Sequence, residues 1–518
     1  MLDFKPVQVK SAARLRKYYS GCTYRLCEYS VGVKLMWRSH WHPVFAETNG
    51  CLVVLNHTEH SGYLFDYPVP LPGEGDVDAA LDEIDRWCLE KGIAPAFGVV
   101  PAEEREHLME RYPYTTVDND RLWQDYLYRA EDFITFAGRR YSGQRNHINK
   151  FRKLYPDARF RPLTPEDAEA VEAFWEEFHQ IFNKDNALAK KELCAARKLM
   201  RQVGKPWVKA GAIELEGKFL AIALGEVCGD TLICHIEKGL PQYEGVYPTM
   251  VQSFAACFAQ GLRWINREDD AGDRGLRTSK LQYLPADMGA KIRLRTRNEL
   301  SLLDKIPALR SERLTLNALA EEDRAEYNRL CLDDERNRWW GYDYRRDLKG
   351  ELTENYFLDV ARHDFDHRQA VNFAIRLEGK FIGEAVLYRF DYRGGAELGC
   401  RILPEFAGQG YGAEAFRRAA EWSLYELGLY QLVAKCYKEN EASRKMLSAC
   451  MRASGEDETF YYFEKKLCVR HKKPGAMFAP GFLCPVLSEY VTWRWRRCTG
   501  APAWSRRSSG CCRGRTGR

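Results

Sequence analysis

Three glycines at alternate positions, Gly408, Gly410 and Gly412, follow a strand-like run and lead directly into a helix rich in Ala, Glu and Arg. Glycine leaves the backbone N–H groups of such a loop free to converge on an anion at the helix N-terminus. The spacing therefore predicts a pyrophosphate-binding loop. The residues around the loop must decide which pyrophosphate it binds.

Two interpretations of this loop compete. Residues 408–413 fit a loose G-x-G-x-x-G/A dinucleotide pattern, and Glu439 follows at a distance suited to a ribose. That fingerprint, however, belongs at the first strand–helix turn of a parallel sheet. Here the loop follows strand-like runs joined by short turns at 378–380 and 393–395, which indicates an antiparallel meander. No Gly-Lys-Ser/Thr follows the loop, which argues against a P-loop.

An antiparallel meander followed by a glycine loop is the order of the GCN5-related N-acetyltransferases (GNAT). Residues 308–467 resemble this family, in particular its RimJ/RimL-like branch, with the first strand at 309–316 and the last conserved helix at 440–447. The chain departs from the family at Ala407, where Arg or Gln is usual, and at 449–453. The resemblance implies acetyl-CoA as co-substrate and a primary amine, on a small molecule or a peptide, as acceptor.

The resemblance also implies roles for individual residues. Glu397 is the candidate base, because it lies on the strand beside the expected carbonyl-binding bulge; a surface strand residue is the alternative interpretation. Asn440 is a second candidate, better suited to positioning than to proton transfer. Cys400 is a weak candidate nucleophile, since no His stands near it in sequence. The predicted cofactor-binding residues are Ile402, Gly408, Gln409, Gly410, Tyr411, Gly412, Ala413, Asn440 and Ser443.

Length and composition limit the class of protein. A chain of 518 residues suggests three or four domain-sized units, and its 45% hydrophobic residues can fill several cores. No run of eighteen apolar residues and no signal peptide is present, so we expect a cytoplasmic protein without an integral membrane segment. The 17 cysteines follow no repeating spacing and are expected to be reduced. The His pairs at 40/42 and 57/60 lack further ligands, so no metal is expected.

The net charge of +5 depends on the C-terminal segment. Residues 468–518 carry eleven Lys and Arg against one acid, so the rest of the chain is net negative and we expect no DNA partner. This segment lacks periodicity and combines Trp, Arg, Cys, Gly and Ser. We predict a frameshifted tail, with a disordered basic arm as the alternative.

Two charged stretches stand out in the first three hundred residues. Residues 139–153 hold six Lys or Arg among aromatic residues, which fits either a solvated helix face or a phosphate-binding face. Residues 235–238 and 266–285 gather charged and amide side chains beside glycines, which is more typical of a site than of a core.

These stretches resemble the C-terminal catalytic domain of the phosphatidylglycerol lysyltransferases, a tandem GNAT-like fold that transfers an aminoacyl group from charged tRNA. The resemblance implies aminoacyl-tRNA as a possible partner and makes Glu237 and Asp269 candidate catalytic residues. Buried ion pairs that only shape the loop are the alternative. The candidate substrate-binding residues are Arg145, Lys150, Lys238, Asp273, Arg277 and Lys280.

The combined prediction is an α/β acyltransferase of three GNAT-like units with mixed sheets. The predicted domains are two halves of a lysyltransferase-like module at 1–155 and 156–305, an N-acetyltransferase domain at 306–467, and the tail at 468–518. A non-catalytic module that binds RNA or peptide, or that dimerises, is the alternative for the first 305 residues.

Overall fold

The computed structural model describes residues 2–181, 187–340, 344–348 and 350–467. Over these ranges the strands form three mixed sheets, which the chain builds in order. The predicted mixed α/β class is confirmed, and the three sheets equal the predicted units in number. The predicted tail at 468–518 lies outside the described residues.

The first two sheets are built from the strands before residue 297. These strands are β1 (Lys5–Pro6), β2 (Val44–Thr48), β3 (Cys51–Thr58), β4 (Gly62–Asp66), β5 (Val69–Pro70), β6 (Ala96–Pro101), β7 (Thr115–Asp118), β8 (Asp125–Arg129), β9 (Arg159–Pro162), β10 (Lys209–Leu215), β11 (Lys218–Cys228), β12 (Thr231–Gly239), β13 (Trp264–Asn266), β14 (Asp287–Gly289) and β15 (Lys291–Thr296). The first sheet has the order β1-β2-β3-β4-β6-β15-β7, with β5 beside β3, and the second has β14-β8-β13-β12-β11-β10-β9.

The third sheet is built from the remaining strands. These are β16 (Leu309–Arg310), β17 (Leu314–Ala318), β18 (Val371–Leu377), β19 (Lys380–Tyr388), β20 (Gly395–Ile402), β21 (Gln431–Tyr437), β22 (Arg452–Glu456) and β23 (Phe460–Lys466). Their order is β16-β17-β18-β19-β20-β21-β23-β22. Strands β17 to β20 are antiparallel neighbours in sequence, which is the predicted meander.

Helices cover the sheets. They are α1 (Ala12–Tyr19), α2 (Val31–Met36), α3 (Arg38–Trp41), α4 (Val77–Lys91), α5 (Arg105–Arg111), α6 (Ala130–Thr135), α7 (Ser142–Leu154), α8 (Ala168–Ile181), α9 (Ala187–Met200), α10 (Val246–Phe258), α11 (Arg274–Leu281), α12 (Arg324–Leu332), α13 (Asp334–Trp340), α14 (Tyr356–Asp366), α15 (Tyr411–Glu421) and α16 (Glu441–Cys450).

Helix α4 shows how local sequence sets an element. Asp76 caps its N-terminus by accepting a hydrogen bond from the Ala79 N–H at 3.0 Å, and Gly92 ends it in the left-handed conformation at φ +65°. Its apolar residues at 80, 81, 84 and 88 recur at helical spacing and are buried. Each of these signals lies within the helix or next to it in the chain.

The first two sheets exchange strands across the predicted boundary at 155/156. Strand β8 belongs to the second sheet although it precedes that boundary, and β15 returns to the first sheet between β6 and β7. The first sheet is therefore completed by residues that follow the whole of the second. Where the domains divide remains a prediction, and residues 2–296 are intertwined as one module in the structure.

Candidate active sites

The glycine loop lies between β20 and α15. Gly408 and Gly410 have φ values of +77° and +82°, and Gly410 is the N-cap of the eleven-residue helix α15. A Cβ atom at Gly408 would meet nothing within 4 Å, so this side of the loop is open. The first N–H groups of a helix have no partner within the helix and favour an anion. The loop therefore presents an anion-binding surface.

The predicted cofactor residues next to the loop pack closely. A Cβ atom at Gly412 would lie 3.4 Å from the Ile402 side chain and 3.6 Å from the Met446 sulfur, and the Ala413 carbonyl accepts a weak hydrogen bond from the Cys450 thiol at 3.7 Å. Arg313, from the turn before β17, donates to the Gln409 carbonyl at 3.2 Å and to Glu414 at 2.7 Å. Its guanidinium lies 4.5 Å from the centre of the Tyr411 ring. A cation thus stands directly beside the loop.

A cavity opens where two parallel strands separate. Strands β20 and β21 pair only from Gly395 with Gln431 to Glu397 with Val433, although both strands continue further. Beyond this point, Gly399 and Cys400 on one strand and Tyr437 on the other line a cavity of about 530 Å³. Its volume falls in the range of small-molecule sites.

Glu397 lies at the point where the strands part and lines the cavity. It is 8% exposed, accepts a hydrogen bond from the Tyr388 hydroxyl at 2.8 Å, and lies 3.5 Å from the Arg389 guanidinium. Burial, followed by the charge of Glu397, raises the pKa of Tyr388 well above its ordinary value. Tyr388 therefore remains a hydrogen-bond donor that holds the carboxylate in place.

Cys400 also lines the cavity. Burial, followed by the charge of Glu384, raises the pKa of this thiol. Its Sγ lies 3.7 Å from the Gly412 carbonyl oxygen. A raised pKa suppresses the thiolate, the nucleophilic form, so these surroundings disfavour Cys400 as a nucleophile.

Asn440 and Ser443 lie at the N-terminus of α16. The Asn440 side chain accepts a hydrogen bond from the Ser443 N–H at 3.0 Å and so caps the helix. Ser443 lines the cavity together with Met446. The structure thus brings Glu397 and Ser443 to one cavity, and Asn440 caps the helix that carries Ser443. The glycine loop lies next to this cavity, because its Gly412 carbonyl contacts Cys400, and Ile402 lies beside Gly412.

In the first module, Glu237 and Lys238 on β12 face separate partners. The Glu237 carboxylate accepts a hydrogen bond from Arg267 at 2.7 Å, and both side chains are nearly buried. Lys238 donates to Glu192 at 3.0 Å. Burial alone would lower the pKa of Lys238, but the Glu192 carboxylate raises it above its ordinary value.

Asp269 belongs to a buried charged cluster between the first two sheets. Lys291, the first residue of β15, places its Nζ 2.5 Å from Glu28, 2.8 Å from Asp125 and 4.0 Å from Asp269. Burial raises the pKa of the Asp269 carboxyl to about 7; Lys291 opposes this rise, and Asp125 and Glu28 add to it. One ammonium thus serves three carboxyl groups, and Asp269 titrates near neutrality.

Three other predicted residues stabilise the loop around Asp269. Asp273 caps α11 by accepting from the Leu276 N–H at 2.7 Å. Arg277 donates two hydrogen bonds to Asp270, at 2.8 and 2.9 Å. The buried Lys280 ammonium donates to the carbonyls of residues 267, 268 and 269, and burial lowers its pKa. Their assignment to substrate remains a prediction.

The basic stretch at 139–153 forms a short turn and helix α7. Arg145 donates to the carbonyls of Phe136 and Gly138 and so ties the turn before the helix. Lys150 makes an exposed ion pair with Glu244, 2.7 Å apart. Arg152 and Lys153 are exposed at the end of the helix. The helix thus shows a basic outer face. Among the described residues, no contact joins Arg145 or Lys150 to Asp269.

The buried group of Lys291, Glu28, Asp125 and Asp269, called the Lys291 cluster below, also contains metal-ligating atoms. Cys27, Glu28 and Asp125 offer ligand atoms within 4.8 Å of one another. The Lys291 ammonium, however, already contacts both carboxylates. A cation is therefore supplied by the chain itself, and the absence of a metal remains a prediction.

Several residues of these sites were not found from the sequence. Arg313 lies almost a hundred positions before the loop that it contacts, and Glu28, Asp125 and Lys291 come from distant segments. Their types alone carry no signal of proximity. In the described part of the chain, no helix has both the length and the apolar character needed to cross a bilayer.

Comparison with known proteins finds matches over both regions that hold a candidate site, the first module and the C-terminal domain. A family described as an acetyltransferase (GNAT) domain matches residues 313–450. The chain is 29% identical over 157 residues to the FsC-acetyl coenzyme A-N(2)-transacetylase of Aspergillus fumigatus, covering 28% of this chain and 64% of that protein. The chain therefore spans less than two thirds of this relative.

Two solved structures are also similar. A conserved protein of unknown function from Bacteroides thetaiotaomicron is 26% identical, with a TM-score of 0.51, covering 57% of this chain and 99% of that chain. Mycobacterium smegmatis RimJ in complex with CoA-disulfide is 17% identical, with a TM-score of 0.27, covering 33% and 91%.

A second family matches the first module. Residues 23–294, more than half of the chain, match the family described as phosphatidylglycerol lysyltransferase, C-terminal. Both predicted resemblances are confirmed, and the chain belongs to the phosphatidylglycerol lysyltransferase C-terminal family, with a GNAT domain following the family region.

Proposed function

We propose that the protein is an acyltransferase whose C-terminal domain transfers the acetyl group of acetyl-CoA to a primary amine. The observation that carries this proposal is the cavity between β20 and β21, because Glu397 and Ser443 both line it and its wall at Cys400 contacts Gly412 of the open glycine loop. Positioning of two reactants supplies much of the rate in such a transfer.

Each group of residues at the cavity has a separate role in the proposed acetyl transfer. The N–H groups at the start of α15 and Arg313 bind the pyrophosphate, and the walls of β20 and β21 hold the thioester arm. Glu397 accepts the proton of the amine, directly or through water, as the amine nitrogen bonds to the carbonyl carbon. The carbon–sulfur bond then breaks, and the thiolate of CoA leaves and is protonated by solvent. Tyr388 keeps the Glu397 carboxylate oriented.

Calorimetry on two glycine variants tests the cofactor site. Gly408→Ala adds a Cβ on the open side of the loop at a positive φ, while Gly428→Ala imposes the same backbone strain at φ +93°, also with nothing within 4 Å, at an exposed site outside the loop. We expect weaker acetyl-CoA binding only for Gly408→Ala. Equal affinity in both variants would contradict the proposed pyrophosphate site.

A second activity is favoured by the Lys291 cluster. Asp269 has a pKa of about 7 in a mostly buried setting, which suits a general base at neutral pH. Together with the family match, this supports aminoacyl transfer from aminoacyl-tRNA, with Asp269 as proton acceptor and α7 as the phosphate-facing surface. Glu237 then has a positioning role, because its carboxylate holds the Arg267 guanidinium in place by accepting its hydrogen bond. A non-catalytic RNA- or peptide-binding or dimerising module is the alternative.

Filter binding of aminoacylated tRNA to the full chain, measured across salt concentrations, tests this activity. Phosphate contacts predict an affinity that falls as salt rises. Asp269→Asn should then abolish aminoacyl transfer and leave tRNA affinity intact. Salt-independent or absent binding would remove the tRNA proposal, and binding without any turnover in the parent protein would favour the non-catalytic alternative.

A further inference from the structure

The first module contributes a wall to the acetyltransferase cavity. Three residues from the C-terminal end of α4 and the turn after it, Leu89, Gly92 and Ile93, line the same cavity as Glu397 and Cys400. The glycine loop contacts the far end of β20, where the Cys400 Sγ lies 3.7 Å from the Gly412 carbonyl oxygen, whereas α4 contacts the hairpin loop that precedes this strand. The wall from the first module therefore belongs to the side that remains for the acceptor.

The hairpin loop between β19 and β20 holds this wall in place. Tyr392 has a φ of +60° and packs against the core of the first sheet, where burial raises the pKa of its hydroxyl to about 12. Its neighbour Arg393 lies 2.9 Å from Asp82 and 3.7 Å from Asp85, both on α4. The docked loop leads straight into β20, so the strand that carries Glu397 is anchored to the helix that supplies the wall.

The chemistry of the lining restricts the acceptor. Two acids, Glu397 and Asp364, and two bases, Arg389 and Lys435, line the cavity, so its formal charge is balanced. A balanced cavity offers no net attraction to a polycation. Most of the remaining lining residues of the cavity are aromatic or aliphatic, including Trp339. Such walls favour an apolar or aromatic body.

We infer that the acceptor site is built jointly by the two modules and takes a small primary amine carried on an apolar or aromatic body, with Leu89 and Ile93 limiting the length of that body. This inference rests on the proposed acetyl transfer. It assigns the first module a role in acceptor specificity that is separate from any aminoacyl transfer at Asp269.

Steady-state acetylation by the full chain tests the inference. The amines are phenethylamine and longer phenylalkylamines, spermidine, and a peptide with a free N-terminus. Leu89→Trp should raise the KM for the longer phenylalkylamines about tenfold or more, since a single methylene in an apolar pocket already changes discrimination by about that factor. Ile93→Ala should lower it for the same amines. The KM for acetyl-CoA should not change in either variant.

Glu90→Trp is the matched control, because Glu90 is an exposed neighbour on α4 that does not line the cavity. Equal KM changes in Glu90→Trp and Leu89→Trp, or no change in either Leu89→Trp or Ile93→Ala, would overturn the inference. Acetylation of spermidine or the peptide alone, or of none of these amines, would overturn it while acetyl-CoA binding still stands. A parent protein that binds no acetyl-CoA would instead overturn the proposed function itself.

Discussion

The two candidate sites differ in how open they are and in how their charges are arranged. The cavity between β20 and β21 is open, has aromatic walls and holds few charges, and it forms where two strands stop pairing. The Lys291 cluster is mostly buried, with Asp269 as its partly exposed member, and its charges are paired with one another across two sheets. The first arrangement leaves room for two substrates. The second ties the module together and leaves one carboxyl group, Asp269, titrating near neutrality.

The largest expected effect is on the stability of the first module. Lys291→Met removes the ammonium that Glu28 and Asp125 contact, and both carboxylates are buried. Loss of one partner of a buried ion pair costs about 3–5 kcal/mol, because the remaining charge is left unpaired. Urea unfolding followed by circular dichroism should show this loss in free energy of unfolding.

Lys150→Met is the control for that prediction. The Lys150–Glu244 pair has a similar distance, but both side chains are about half exposed, so its loss should cost less than about 1 kcal/mol. Similar losses in the two variants would mean that the Lys291 cluster does not stabilise the module more than a surface pair does.

The next effect concerns chemistry in the open cavity. Glu397→Gln preserves shape and removes the proton acceptor, so we expect kcat to fall by about a hundredfold with little change in the KM for acetyl-CoA. Initial rates with a phenylalkylamine measure this, with Glu458→Gln, an exposed residue after β22, as the control. Unchanged kcat in Glu397→Gln would restore the alternative that Glu397 is a structural strand residue.

The smallest effect is a dependence of stability on pH. The pKa of Asp269 is about 7 in the folded protein and 3.8 as an ordinary carboxyl. The folded state therefore binds more protons than the unfolded state between these values, and stability falls as pH rises through this window. Compared with Asp269→Asn, the free energy of unfolding of the parent protein should fall by about 1.4 kcal/mol more between pH 6 and pH 8.

Unfolding of both proteins at each pH checks this prediction, with Asp157→Asn, an exposed aspartate, as a further control. Parallel pH profiles for the parent and Asp269→Asn would show that Asp269 titrates far below neutrality. The comparison of the two sites would then lose the feature that suggests chemistry in the Lys291 cluster.

The sequence predicted what is encoded locally. The glycine loop and the meander before it depend on neighbours in the chain, and both are present in the structure. The sequence did not predict that β15 returns to the first sheet, because strand partners are chosen by burial over long separations. For the same reason it could not place Lys291 beside Glu28, or Leu89 at the cavity that Glu397 lines.

Crystallography of the full chain with bound CoA tests the central claim most directly. The account predicts the pyrophosphate against the N–H groups of the loop at 408–412, with Arg313 nearby, and the thiol between β20 and β21 on the side of Glu397. Electron density for CoA at another place on the chain, with this cavity empty, would contradict it.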